Sequence, residues 1–184
     1  VLSLEEPRLY ELMDKQLKHV ARLWKARGYF MTADEIRIAG WELQPNGEQL
    51  TPAQLLGRYM KRSLDIVRKH DPKAEVYVWS DMFTPFHNGR PFEESGAYYL
   101  ASGTYYGCWK DLPSEVFIAN WYSTSRLNQV WFETRGNTQI MCGYYDNPNL
   151  KANIAHWMDV TRDVDGIIGI MYTNWSTRYE LMGE

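Results

Sequence analysis

Asp34 and Glu35 are adjacent carboxylates at the end of an apolar run, Tyr29-Phe30-Met31-Thr32-Ala33. Two neighbouring acids repel as they ionise, so one is expected to hold its proton to higher pH, as a general acid must. Glu35 is taken as that acid, with Asp34 as its charged neighbour. The other groups with chemical capacity end four further short apolar runs: Trp79 and Asp81, then Trp121, then Tyr144-Tyr145-Asp146, then Asn174-Trp175. Trp and Tyr offer flat apolar faces with a polar handle, which suits core packing and also stacking on a sugar ring. Asp81 reads as a loop cap, since Asp after a strand commonly starts a turn. His19, His70, His87 and His156 share no ligand spacing and read as surface or packing residues, so no metal and no cofactor is expected. Cys108 and Cys142 read as reduced packing residues.

Something must hold these groups together, and the pattern of the chain says what. The five runs are short, rich in strand formers and separated by amphipathic segments. Leu9, Met13, Leu17, Val20, Ala21 and Trp24 recur at helical spacing from a possible Ser3 N-cap until Gly28. A second helix is predicted from Thr51-Pro52 to Asp71-Pro72, a third through Leu127 to Thr134 closed by Gly136, and a fourth from Leu150 to Thr161. Residues 36–48 read as a loop with the turn signal Pro45-Asn46-Gly47. Between Asp81 and Val116 the breakers are too many for one long helix, and a short helix near Glu93 to Leu100 with a strand piece at Thr104 to Trp109 is expected. Strands alternating with helices make βα units, whose strands run parallel and whose ligands bind at the C-terminal rim. No Gly-rich phosphate loop follows any strand, which weighs against a nucleotide-binding open sheet. A complete (β/α)₈ barrel has eight strands and typically ~250 residues. The expectation is therefore an α/β fold: a parallel barrel of TIM type lacking its first three strands, with residues 1–184 forming one segment of it.

Bulk properties exclude several function classes. The formal charge of −3 in 184 residues offers no basic face for displacing counterions from phosphates, so no nucleic-acid partner is expected. No run approaches the ~20 apolar residues of a membrane span, and the first residues, VLSLEEPRLYE, lack the pattern of a signal peptide. The expectation is a soluble segment, its compartment left open.

The stretch from Leu4 to Tyr10, the helix to Trp24 and the strand ending in Asp34-Glu35 resemble the segment of family 20 glycoside hydrolases, the β-N-acetylhexosaminidases, that ends in an Asp-Glu pair on the fourth barrel strand. The later strand ends follow that family's order: Trp79, Trp121, Tyr144-Tyr145-Asp146 against its Tyr-x-Asp, then Trp175. The resemblance covers nearly the whole chain and implies the C-terminal part of a catalytic barrel, strands four to eight, completed by the missing strands of the parent chain. It departs from the family pattern at Thr32-Ala33, where family members usually have Gly before the acids, and at Ser176-Thr177, where a Trp-x-Glu motif often stands.

Most glycosidases place two carboxylates on separate strands, one to protonate the leaving oxygen and one to meet the oxocarbenium-like centre. Here Glu35 is the one good acid. A substrate whose 2-acetamido group serves as nucleophile removes the need for the second, an exception recognised for family 20. Asp34 would then orient the acetamide N–H. The resemblance places Tyr144 as donor to the acetamide oxygen and Asp146 on a sugar hydroxyl, with Trp79, Trp121 and Trp175 lining the sugar pocket. The expected activity is removal of terminal N-acetylhexosamine by substrate-assisted, retaining hydrolysis. Two alternatives stand beside it. One is a carbohydrate-binding barrel without activity; the other is a family 18, chitinase-like hydrolase, whose Asp-x-x-Asp-x-Asp-x-Glu spacing is represented here only by its last Asp and Glu. Blander readings also exist: the acid pair could serve a helix N-terminus, and the three Trp could fill a barrel interior.

Overall fold

The computed structural model describes residues 4–36, 49–91, 105–123, 125–144 and 149–175. Helix α1, Pro7–Leu23, leads into strand β1, Gly28–Phe30; helix α2, Pro52–His70, leads into β2, Glu75–Trp79. Two 3-10 turns, Asp81–Phe83 and Cys108–Asp111, precede β3, Phe117–Asn120; α3, Arg126–Thr134, then β4, Gln139–Tyr144, and α4, Leu150–Val160, then β5, Ile167–Thr173, complete the order. All four strand pairings are parallel and the sheet order is β1-β2-β3-β4-β5. A doubly wound sheet reverses direction at a switch point, whereas a barrel adds each strand on the same side of the last. This order has no reversal among the described strands. The fold is thus the expected parallel α/β sheet of barrel type, five strands of a half-barrel.

Local chemistry explains the helix ends. Thr51 caps α2 through its hydroxyl while Gln54 reaches back to the Thr51 N–H, with Pro52 at the first helical position. The start of α1 differs from the Ser3 cap expected from sequence: the Glu6 carboxylate accepts from the Arg8 N–H and Pro7 opens the helix, while Ser3 lies outside the described residues. The helix also stops at Leu23, before Gly28, which instead begins β1. Where the sequence predicts a strand piece around Thr104 to Trp109, the described residues 105–109 form a turn leading into a 3-10 helix, with Gly107 at φ 96° as its cap. A left-handed Gly curls the chain where a strand would need it extended. Residues 93–100, expected as a short helix, lie outside the described set.

Strand pleating sorts the side chains onto two faces. On the helix side, Val76, Val78 and Ile118 are fully buried and join Leu56, Met60, Leu64 and Val67 of α2 in the main core. Helix α3 is attached by amides as well as by Phe132. Asn128 Nδ2 donates to Asn120 Oδ1 at 2.7 Å, Asn120 Nδ2 to Gln139 Oε1 at 3.1 Å, and Gln139 Nε2 to the Gln129 carbonyl at 2.9 Å. All four residues are buried. An Asn120→Ala substitution would orphan partners on both sides, each at about 1–3 kcal/mol, so a loss of about 2–6 kcal/mol in urea unfolding is expected.

The opposite face is aromatic. Phe30 lies 4.8 Å from Trp79, Tyr77 lies 4.9 Å from Phe117, and Trp79 lies 6.3 Å from Trp175, measured between ring centroids. Trp79, Ala119 and Cys142 form a second, smaller core with Trp121, Ile140 and Met171 against it. At the far end of β4, Gly143 lets the Tyr172 ring lie flat on the backbone: a Cβ there would meet Tyr172 Cε1 at 2.5 Å.

Candidate active site

Strand pairing at β1 outlasts the regular strand by two residues, since Met31 N donates to the Tyr77 carbonyl and Trp79 N to the Thr32 carbonyl. The backbone then turns sharply. Thr32, Ala33 and Glu35 have φ of 58°, 66° and 45°, the left-handed region that residues with a Cβ disfavour. Strained backbone of this kind persists only where the surroundings hold it, and it clusters at functional sites. Here the turn carries Asp34 and Glu35 over the C-terminal rim of the sheet. The positive φ of Ala33 is one that Gly would adopt without the clash a Cβ brings.

A cavity of about 470 Å³ opens at this rim. Asp34 and Glu35 line one side, and Trp79 and Cys142 also face it. Trp121, Tyr144, Thr173 and Trp175 complete the lining. The structure thus brings together six of the seven residues singled out in the sequence; Asp146 lies outside the described residues. Each wall is fixed by its own strand end. The Trp175 indole donates to Thr173 Oγ1 at 3.0 Å, and Thr173 Oγ1 in turn donates to the Gly143 carbonyl at 3.1 Å, tying Trp175 to β4. Trp175 remains 68 % exposed and Tyr144 47 % exposed, whereas Trp79 is buried beneath them. A wide apolar floor with a few polar groups is the usual composition of a small-molecule site.

Asp81 is the residue that sequence reading misplaced. It is fully buried. Its Oδ2 accepts from the Glu35 backbone N–H at 2.9 Å and from Asn88 Nδ2 at 2.8 Å, and its Oδ1 accepts from Trp121 Nε1 at 3.3 Å. A loop cap would bond its own turn, but two of these partners belong to distant strand ends. His87, read as surface or packing, is a buried packing residue: it stacks on Tyr122 at 4.0 Å and meets Trp121 edge-on at 4.6 Å. Burial beside Arg90 pushes its imidazole down to about 4, so it is neutral there. The two cysteines are free and buried, and Cys108 Sγ donates to the Met82 carbonyl. Among the described residues no group of three His, Cys, Asp or Glu could hold a metal ion.

Burial dominates the electrostatics of the two rim acids Asp34 and Asp81. Burial pushes the Asp34 carboxyl above the usual range, its own backbone N–H opposes that, and the Glu35 carboxylate adds to the rise, so the rise falls on Asp34, the acid that the sequence reading takes as the charged neighbour. Burial likewise pushes Asp81 up to about 6, against the pull of its three hydrogen-bond donors and with a further push from Asp34. An acid whose folded value is raised adds stability at low pH that is lost as pH climbs through that value. Going from 3.8 to about 6 at about 1.4 kcal/mol per unit gives a loss of ~3 kcal/mol between about pH 4 and pH 6.5. Asp34 contributes with the same sign. Urea midpoints measured across this window should therefore fall with pH in wild type and fall less in Asp81→Asn, whatever the absolute stability of the variant.

No protein-family model matches the sequence, and no curated protein matches it. Solved structures do match in fold. An endo-glycoceramidase II from Rhodococcus sp., in complex with a five-membered iminocyclitol, superposes with a TM-score of 0.50 at 14 % identity, covering 91 % of this chain and 41 % of that one. The lactosyl-enzyme intermediate of endo-glycoceramidase II from the same source gives 0.48 at 17 % identity, over 91 % and 40 %. This chain spans about two fifths of those proteins. At such identities the likeness speaks to the fold alone.

No helix among the described residues is long and apolar enough to cross a membrane.

Proposed function

We propose that this chain is the C-terminal part of a glycoside hydrolase barrel that removes terminal N-acetylhexosamine, with further strands of the parent protein closing the sheet. The observation that carries the reading is a cavity lined by an acid pair, three tryptophans and a tyrosine at the C-terminal rim of parallel strands. Function belongs at that rim in barrels of this type. Glu35 protonates the leaving oxygen. Asp34 accepts the acetamide N–H of the substrate, and Tyr144 donates to the acetamide oxygen, so that the oxygen attacks the anomeric carbon and an oxazolinium ring replaces a covalent link to protein. Water then opens the ring, with Glu35 now taking the proton. Trp79, Trp121 and Trp175 bound the sugar on its apolar faces, and Asp146 takes a sugar hydroxyl.

A chemical argument supports the assisted route. Among the described residues the carboxylates lining the cavity are Asp34 and Glu35, adjacent in sequence and on one turn, and Asp81 behind them has its two oxygens committed to three donors. A protein nucleophile on the opposite face of the sugar would have to come from elsewhere.

The test is hydrolysis by the full-length protein of nitrophenyl β-glycosides of N-acetylglucosamine, N-acetylgalactosamine, glucose and galactose. The expected result is a preference for the 2-acetamido sugars of at least ~100-fold in kcat/KM. Saturable binding of N-acetylglucosamine with no turnover would make the chain a carbohydrate-binding barrel instead.

A further inference from the structure

We propose that Asp81 is a positioning residue of the site, a buried carboxylate that ties the backbone carrying Glu35 to the indole of Trp121 and so sets the distance between proton donor and sugar-facing wall. The inference rests on the glycosidase reading above and deepens it. Asp81 sits at the end of β2, between the two strand ends it joins: Glu35 follows β1 and Trp121 follows β3. One oxygen serves each side. Oδ2 takes the Glu35 N–H at 2.9 Å, and Oδ1 takes Trp121 Nε1 at 3.3 Å. Asn88 holds Oδ2 from behind at 2.8 Å, while its neighbour His87 packs edge-on against the same Trp121 ring at 4.6 Å.

Three features make this more than a buried loop cap. First, all three partners are donors, so the ionised carboxylate is the only side chain of this size that satisfies them together. Second, the bond to Glu35 falls on a residue with φ of 45°, a backbone conformation that an L side chain rarely adopts unless something holds it. Third, Asp81 does not line the cavity itself. It touches no substrate and acts only through the groups it holds. Its burial without a cationic partner among the described residues is costly, which a residue retained merely to end a strand would not require.

The consequence concerns which step suffers when the tie is cut. Asp81→Asn keeps the size and burial but turns an N–H₂ toward a ring of donors, so at least one of the Glu35 N–H and the Trp121 indole loses its acceptor. If Glu35 drifts, proton transfer to the leaving group fails first, because that transfer needs the carboxyl within hydrogen-bond reach of the glycosidic oxygen. If Trp121 drifts, substrate affinity falls.

The experiment compares wild type, Asp81→Asn, Glu35→Gln and the double variant in the full-length protein, on N,N′-diacetylchitobiose and on the activated 4-nitrophenyl β-N-acetylglucosaminide. Asp81→Asn should lower kcat on diacetylchitobiose at least ~50-fold and on the nitrophenyl glycoside less than ~5-fold, with KM raised on both. Added to Glu35→Gln it should cost less than ~3-fold more in kcat, since a residue that acts through Glu35 has nothing left to position. Asn88→Ala removes one donor behind Oδ2 and leaves both ties, so it should show the same asymmetry more weakly and serves if Asp81→Asn does not fold. Equal losses on the two substrates, or full additivity with Glu35→Gln, would mean a structural role only and overturn the inference while the glycosidase reading stands. Absence of turnover by wild type would overturn that reading and this inference with it.

Discussion

Glu35→Gln should cut turnover of N,N′-diacetylchitobiose by about 10²–10⁴-fold while sparing much of the activity on a 4-nitrophenyl glycoside. The sugar leaving group is a poor one and departs as an alcohol only if it is handed a proton. Nitrophenolate leaves without help. A plot of log kcat/KM against leaving-group pKa should therefore be steep for the variant and shallow for wild type, and the two lines should meet at the most acidic phenols. Small nucleophiles provide a second check. Azide, unlike water, has no proton for Glu35 to remove, so in a variant limited by the second step it should restore part of the rate by attacking the ring-closed intermediate directly to give the glycosyl azide. A uniform loss on all substrates would show that Glu35 shapes the pocket and protonates nothing.

The placement of Glu35 follows from forces that compete rather than cooperate. Extended pairing on β2 ends with the Trp79 N–H on the Thr32 carbonyl, and a strand continued from there would carry the acids past the rim. Left-handed turns at Thr32, Ala33 and Glu35 stop it instead. Each such residue costs on the order of 1–2 kcal/mol. The hydrogen bonds at Thr32 and Glu35, and the burial of Ala33 in the main core, offset that cost locally. The acid pair is thus held over the cavity by a turn that local preference alone would not select.

Much of this was legible in the sequence, and the part that was not has a common cause. The strand runs announce themselves because burial on both faces demands continuous apolar residues, and their spacing by amphipathic helices dictates parallel pairing. Asp34, Glu35, Trp79, Trp121, Tyr144 and Trp175 could be placed at one rim because each ends such a run, and strand ends of parallel units share a side. Asp81 ends a run as well, yet its role depends on partners 46, 7 and 40 residues away, which no local pattern encodes. The same holds for Asn120, which reads as a polar strand end and is in fact the middle of a buried amide chain beneath α3. The turn at Cys108–Asp111 was hidden because Thr104-Tyr105-Tyr106 carries strand-forming residues, while Gly107 decides the conformation. Local propensity yielded to one glycine.

Asp34→Asn and Tyr144→Phe should each slow hydrolysis of 2-acetamido substrates by about 10²–10³-fold, and the loss should vanish when the 2-acetamido group is replaced by a hydroxyl. Both side chains are expected to act on charge that develops only as the acetamide oxygen attacks: Asp34 on the nitrogen that becomes positive, Tyr144 on the oxygen that must be aimed. Neither contributes to leaving-group protonation, so their effect should be independent of leaving-group pKa, in contrast to Glu35→Gln. Burial raises the proton affinity of Asp34, and the Glu35 charge raises it further. The assisted route requires Asp34 ionised, so kcat/KM should fall on the acid side as Asp34 takes up its proton, and Asp34→Asn should lose that acidic limb. A thiazoline mimic of the bicyclic intermediate should bind wild type at least ~10²-fold more tightly than N-acetylglucosamine and lose most of that advantage in Asp34→Asn, because the site is complementary to the charged ring and not to the ground-state sugar. Equal turnover of acetamido and hydroxyl substrates, unaffected by Asp34→Asn, would reject assistance by the substrate. The nucleophile would then have to be a protein carboxylate, and Asp146, just past the end of β4, would be the first to replace.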